Sequence, residues 1–141
     1  MSPRIPAALL ACLALAAAGC GDSKEERAQS DVCGARANIQ KSIDSLKGLT
    51  PSTATTDEVR EHLDAIRKDL GTMRGAQGDL NADRRSELQA ANAQFAATIA
   101  TVAQTIVRST SAEEAATEVK QGAGQLEATY QSALSPLDCS S

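Results

Sequence analysis

Residues 55–74, TTDEVREHLDAIRKDLGTMR, contain the pattern that decides the fold of this chain. Their apolar side chains recur at alternating intervals of four and three residues, at Val59, Leu63, Ile66, Leu70 and Met73. This spacing places all of them on one face of an α-helix. Thr55 and Glu58 precede the run in the pattern of a capping box, which satisfies free amides at a helix N-terminus. The stretch therefore predicts an amphipathic helix that ends near Arg74 and buries its apolar face against other elements.

Three further segments show the same alternation of apolar residues and predict three more helices. The first helix covers residues 31–47, and Pro51 prevents its continuation. The third covers residues 82–108, and the fourth covers residues 112–134. The predicted seam of the fourth helix comprises Ala112, Ala116, Val119, Ala123, Leu126, Tyr130 and Ala133. Four amphipathic helices with short connections predict an all-α fold, an antiparallel up-down-up-down four-helix bundle.

Two features of these seams have alternative interpretations. Asn92 is the polar residue in the seam of the third helix, where a buried amide fixes register at some cost in stability. In the alternative, Ala91 beside it takes the buried position. Gly122 and Gly124 interrupt the fourth helix, and each lowers its stability by about 1 kcal/mol relative to alanine. These glycines either allow close helix packing or simply weaken the helix.

The composition supports helices and argues against some classes of partner. The 141-residue chain has one Phe, one Tyr and no Trp, so its core must be built from aliphatic side chains and alanine. Such a composition favours helices over sheet. The net charge is −4, and there is no block of basic residues. We therefore expect one domain with no nucleic-acid partner and no electrostatic binding to anionic lipid.

The N-terminus has the features of a targeting segment. Arg4 supplies a positive charge at its start, and the apolar run 5–18 follows. That run is shorter than the about 20 residues that a membrane-spanning helix needs. The small residues 17–19 then precede Cys20, as expected before a site of signal-peptide cleavage.

The ending Ala17-Ala18-Gly19-Cys20 resembles the lipobox of bacterial lipoproteins, with Ala17 in the place of the usual leucine. The resemblance implies that residues 1–19 are a cleaved signal peptide and that the Cys20 thiol carries lipid, such as palmitate. It also implies that the mature chain is anchored on a cell membrane and faces outside the cytoplasm, in the periplasm or at the cell surface. The alternative is an ordinary signal peptide cut nearby, which leaves Cys20 as a plain thiol.

On this interpretation, residues 20–30 form a lipidated tether and residues 31–141 form the helical bundle domain. The polar, charged run directly after Cys20 has the character of such a tether. Ser23 and Glu26 also match a capping box. The first helix therefore either starts with the bundle domain or absorbs part of the tether.

The remaining cysteines provide an independent check on the topology. Cys33 lies near the start of the first helix and Cys139 lies just beyond the fourth, so an up-down-up-down bundle brings them to one end. We name that end the cysteine pole, and we name the opposite end, with the connections 49–55 and 109–111, the loop pole. Because disulfides persist outside the cytoplasm, the sequence predicts a Cys33–Cys139 disulfide. Intermolecular pairing and free thiols are the alternatives.

Residues with catalytic or metal-binding chemistry are few and scattered. His62, the one histidine, is flanked by acidic residues, but no nucleophile accompanies it, and we expect a solvated position on a helix surface. Neither zinc-ligand nor calcium-loop spacing is present. We therefore expect no enzymatic activity, no cofactor and no metal site. An enzyme that uses His62 would require this side chain in the interior, beside a carboxylate.

The sequence thus predicts a membrane-anchored, extracytoplasmic helical-bundle lipoprotein that acts as a binding or structural module. Its expected partners are the membrane, through lipid on Cys20, and another envelope protein. The loops of the loop pole supply the candidate contact residues, which are Pro51, Ser52, Thr53, Ser109 and Thr110. The alternative function is an accessory or sensory subunit that binds a small ligand between its helices, and a cavity in the core would favour it.

Overall fold

Four α-helices make up most of the computed structural model, which describes residues 23–140. They are α1 (Lys24–Gly48), α2 (Thr56–Ala76), α3 (Ala82–Val107) and α4 (Ala112–Thr129). A 3-10 turn, Gln77–Asp79, follows α2, and a π-helical turn, Tyr130–Leu134, extends α4. No strand occurs within residues 23–140, so the predicted all-α class is confirmed.

The helices form an antiparallel ring in chain order. Each of α1 and α3 packs against both α2 and α4. The Oγ1 atoms of Thr98 in α3 and Thr129 in α4 share a hydrogen bond of 3.1 Å. Val102, one turn later in α3, lies against Gly122, which comes earlier in α4. Residue numbers thus rise along α3 while those of the facing residues fall along α4, so the two helices are antiparallel. The predicted up-down-up-down bundle is confirmed.

The core consists of the predicted apolar seams. Its largest fully buried side chains come from all four helices: Ile39, Ile43 and Leu46 from α1, Ile66, Leu70 and Met73 from α2, Leu88, Phe95 and Ile99 from α3, and Val119 and Leu126 from α4. Each helix buries one face, and its outer face carries mostly charged, polar or alanine side chains. Removal of the apolar face from water is the main driving force for the packing.

The seam of α4 differs from the prediction at both ends. Ala112 is exposed, because it lies in the first turn of the helix at the end of the bundle. At the other end Leu134 is fully buried, whereas the predicted Ala133 is half-buried. The π-helical turn accounts for this shift, since the Ser135 amide donates to the Tyr130 carbonyl (2.8 Å) and the turn contains one extra residue.

Helix α1 begins at Lys24, earlier than the start predicted at Asp31. Ser23 is the N-cap of a complete capping box. Its backbone amide donates to Glu26 Oε2 (2.7 Å), and its Oγ accepts from the Glu26 amide (3.1 Å). Ala28 is buried in the core. The later part of the predicted tether therefore belongs to the bundle, because it is capped and contributes a core contact.

Asn92 occupies a core position in α3. It is 5% exposed, and Ala91 beside it is also 5% exposed, so both residues that competed for this position are buried. Neither Nδ2 nor Oδ1 of Asn92 has a hydrogen-bond partner within the described part of the chain. An unpaired buried amide lowers stability by about 1–3 kcal/mol. No hydrogen bond within residues 23–140 therefore ties Asn92 to one register of α3.

At the cysteine pole, the end of the chain is fixed to α1. Cys33 and Cys139 form the predicted disulfide, with their Cα atoms 5.6 Å apart. Arg36 Nη1 donates to the backbone carbonyls of Ser135 (3.1 Å) and Leu137 (2.7 Å). The disulfide links residues separated by 106 positions. Closure of a loop of that size stabilises a fold by up to about 4.7 kcal/mol where chain entropy dominates.

Gly122 allows α4 to approach α3 closely. A Cβ atom at this position would lie 2.6 Å from Val102 Cγ1 and 3.3 Å from Val102 Cγ2. Val102 is buried, and a branched valine side chain has one strongly preferred rotamer in a helix, so it cannot turn away. A Cβ atom at Gly124 would meet nothing within 4 Å. Close packing therefore explains Gly122 and does not explain Gly124.

We expect Gly122→Ala and Gly124→Ala to change the free energy of unfolding in opposite directions. Gly124→Ala should raise it by up to about 1 kcal/mol, through helix propensity. At Gly122 overpacking against Val102 should outweigh that gain, since overpacking typically lowers stability by about 1–3 kcal/mol. Urea unfolding followed by circular dichroism measures both variants. A stabilised Gly122→Ala variant, or a double-mutant cycle with Val102→Ala that shows no coupling, would contradict the close contact.

Candidate functional site

The first predicted contact loop is a compact turn that satisfies its own polar groups. The Thr50 amide donates to Thr53 Oγ1 (2.8 Å), and Thr50 Oγ1 lies 2.9 Å from Ser52 Oγ. The Ala54 amide donates to the Thr50 carbonyl (2.7 Å). Pro51, Ser52 and Thr53 are exposed. The loop therefore presents an exposed polar surface that internal hydrogen bonds hold in one conformation.

The second predicted contact loop is held by the first turn of α4. The backbone amide and the hydroxyl of Thr110 both donate to Glu114 Oε2, each at 2.7 Å, and the Glu114 amide donates to Ser111 Oγ (3.1 Å). The hydrogen bonds from Thr110, first the one from its amide, hold the pKa of Glu114 below its ordinary value of 4.5. Ser109 is half-buried, and its Oγ has no hydrogen-bond partner among residues 23–140.

An apolar groove lies between the start of α2 and the end of α3, beside these loops. We name it the α2–α3 groove; it has a volume of about 200 Å³ and is lined by Thr56, Val59, Arg60, Leu63, Arg67, Ala103, Ile106 and Val107. Val59 and Leu63 belong to the core, so the floor of the groove is continuous with the hydrophobic interior. Val107 lies at the rim and is 77% exposed, the one large apolar side chain so exposed in the described part of the chain.

This groove was not predicted from the sequence. Val107 directly follows the seam residue Ile106, so it does not fit the alternation of four and three residues. This misfit is the sign in the sequence that Val107 lies outside the core. The groove includes Thr56, which begins α2 just after the first loop, and it includes Val107, which ends α3 just before the second. The structure thus places the groove and both predicted contact loops together at the loop pole.

His62 lies beside the seam of α2, and its side chain is 20% exposed, so it is more buried than the solvated position that was predicted. Its Nε2 is 3.7 Å from Glu58 Oε1, which is longer than a hydrogen bond. Within residues 23–140 no group of three or more potential metal-ligating side chains is found. Asn92 lines none of the five best-formed clefts in this part of the chain.

Similarity to known proteins gives no guide to function. No family model matches the chain, and neither a curated protein nor a solved structure is significantly similar to it. Cys20, the predicted lipidation site, lies outside the described residues. Within residues 23–140, none of the helices combines the length and the hydropathy needed to cross a membrane. The N-terminal sequence and the surface of the loop pole are therefore the features of the chain that indicate a function.

We expect Glu114→Gln to loosen the second loop without unfolding the bundle. Hydrogen bonds to a carboxylate are stronger than those to a neutral amide, so the Thr110 amide should lose protection. Because the pKa of Glu114 is lowered in the folded state, its contribution is present above pH 4.5 and is lost as the pH falls through the lowered pKa. Amide hydrogen exchange at Thr110, measured by NMR, should therefore differ between variant and wild type above pH 4.5 and converge at lower pH.

The matched control for this experiment is Glu113→Gln, which removes a neighbouring charge from the same helix turn. It should leave the protection of the Thr110 amide unchanged. Equal protection of that amide in the wild type and in Glu114→Gln at neutral pH would show that the carboxylate does not hold the loop.

Proposed function

We propose that this chain is a lipid-anchored, extracytoplasmic protein-binding module that presents its loop pole and the α2–α3 groove to another envelope protein. In this proposal residues 1–19 are removed as a signal peptide, and lipid on Cys20 holds the mature chain on the membrane. The lipobox-like Ala17-Ala18-Gly19-Cys20 and the apolar run before it support the anchor. The function proposed is binding, with no catalytic step.

The short distance from Cys20 to the bundle supports a defined orientation on the membrane. Lys24 is the first residue of α1, so residues 21–23 alone separate the helix from Cys20. Fully extended, three residues span about 10 Å. The cysteine pole would then lie close to the lipid headgroups. Helix α1, with 25 residues, would carry the loop pole up to about 37 Å away from them.

The observation that carries the binding proposal is the exposure of Val107 beside the apolar floor of the α2–α3 groove. Covering apolar surface is favourable by about 25 cal/mol per Å² removed from water. Exposed apolar surface with a polar rim is typical of interaction sites. The two loops beside the groove lie on a rigid helical scaffold, where binding residues commonly occur. This end of the molecule is also the end that the anchor leaves free.

The variant Cys20→Ala tests the anchor. Without the thiol no thioether-linked lipid can form, and processing of a lipobox requires the lipidated cysteine. We expect an unprocessed precursor that retains residues 1–19 and carries no lipid, as measured by intact-mass spectrometry of membrane extracts. Cys12→Ala, which removes the cysteine within the signal segment, should be processed normally. Normal cleavage of the Cys20→Ala chain would contradict the proposed anchor.

Photo-cross-linking in intact cells tests the binding function. A benzophenone amino acid placed at Val107 should form a cross-link to a distinct envelope protein on irradiation. The same amino acid at Lys120, an exposed position on α4 outside the groove, should not. Because Val107 is largely exposed, its replacement should leave the thermal stability of the bundle nearly unchanged. Equal cross-linking from both positions, or none from Val107, would contradict the proposed site.

A further inference from the structure

The charges around the α2–α3 groove differ from those of the chain as a whole. The chain has 18 acidic and 14 basic residues. The lining of the groove nevertheless contains Arg60 and Arg67 and no carboxylate. On the α3 side, no charged residue occurs between Glu87 and Arg108. The side chains that line the groove are therefore apolar or cationic, although each arginine has an aspartate of α2 beside it.

The two arginines can exchange their present partners for carboxylates of a ligand. Arg60 Nη1 lies 3.9 Å from Asp57 Oδ1, and the two side chains are 64% and 96% exposed. Arg67 Nη1 lies 2.6 Å from Asp64 Oδ1, with exposures of 46% and 59%. Ion pairs between such exposed groups contribute little to stability. Arg60 and Arg67 line the groove, whereas the two aspartates do not. The arginines can therefore pair with carboxylates of a ligand in the groove and still remain at its wall.

The dimensions of the groove fit a short helix. The α2 wall extends from Thr56 to Arg67, which corresponds to about 16 Å along the helix axis, or three helical turns. On α3, the exposed Ala96 and Ala100 precede Ala103 and Val107 at helical spacing on one face. The short alanine side chains permit close approach of another backbone, and Val107 provides a larger apolar contact at the end of the row. Grooves of this kind receive the apolar face of an amphipathic helix.

We propose that the α2–α3 groove binds an amphipathic helix whose apolar stripe is flanked by carboxylates. This inference rests on the proposed function and specifies the chemistry of the partner. The apolar stripe covers Leu63 and Val107, and the flanking carboxylates pair with Arg60 and Arg67, as charge-assisted hydrogen bonds favour. A second copy of this chain is a poor occupant, because two such grooves packed on each other would bring four arginines and no groove-lining carboxylate into one interface.

A peptide-display library tests this proposal. The library contains helical peptides of about four turns, or 14 residues, with a fixed apolar stripe and with Glu, Lys or Gln randomised at the flanking positions. Selection uses the intact mature chain in detergent micelles. We expect Glu to be enriched over Lys at the flanking positions by about 10-fold or more, and the enrichment to fall as salt is raised.

Two double variants make the test specific to the groove. Arg60→Glu combined with Arg67→Glu should reverse the preference, so that Lys replaces Glu beside the apolar stripe. Lys41→Glu combined with Lys68→Glu makes the same change in net charge at exposed positions outside the groove. That variant should retain the preference for Glu. An unchanged preference in the arginine variant would overturn the proposal.

The remaining outcomes separate this inference from the proposed function. Equal enrichment of Glu and Lys peptides, with binding abolished by Val107→Ser, would overturn the acidic preference and leave the groove as a protein-binding site. Self-association in sedimentation experiments that Val107→Ser abolishes would assign the groove to a second copy. Binding to anionic phospholipid vesicles that the arginine variant abolishes would assign it to a lipid surface. Either assignment would overturn the proposal.

Discussion

The contact between α1 and α4 closes the ring of helices. The other neighbouring helices are joined by short connections, whereas α1 and α4 stand at opposite ends of the described chain. The disulfide joins them at the cysteine pole. Further along, Glu127 Oε2 accepts a hydrogen bond from Gln40 (3.0 Å) and lies 3.8 Å from Lys47 Nζ. Hydrogen bonds from Gln131 and Gln40 hold the pKa of Glu127 below its ordinary value, so the carboxylate remains ionised where α1 meets α4.

A closed ring with almost no aromatic residues depends on close packing. Phe95 is the single phenylalanine, and many buried positions are alanines: Ala28, Ala35, Ala91, Ala116 and Ala123. Short side chains make dispersion contacts only if the helix backbones approach one another. The contact of Gly122 with Val102 is one consequence of that requirement. The unpaired amide of Asn92 lowers the stability of this core, and the surrounding apolar contacts offset that cost.

Much of the fold was predictable because a helix seam follows from periodicity alone. The five seam residues of α2, from Val59 to Met73, are buried as predicted. The deviations lie where tertiary contacts decide. The capping box at Ser23 begins α1, and Ala28 in the same part of the helix is buried in the core. The burial of Ala28 is a tertiary contact that the local sequence does not reveal. The α2–α3 groove depends on the distance between the start of α2 and the end of α3, which periodicity does not predict. In the sequence, Val107 outside the seam is the one indication of the groove.

The two poles are restrained in different ways, and this bears on the proposed binding site. At the cysteine pole a covalent bond closes the fold, and Arg85 donates to three backbone carbonyls of the connection between α2 and α3. The loops of the loop pole are held by hydrogen bonds between exposed groups, such as Thr50 with Thr53 and Thr110 with Glu114. Such bonds stabilise a loop only weakly, because water competes for the same donors and acceptors. Local opening requires the least free energy where restraints are few and exposed. The proposed binding groove therefore lies at the end of the bundle with the weaker restraints, while the disulfide at the opposite end keeps the helices together.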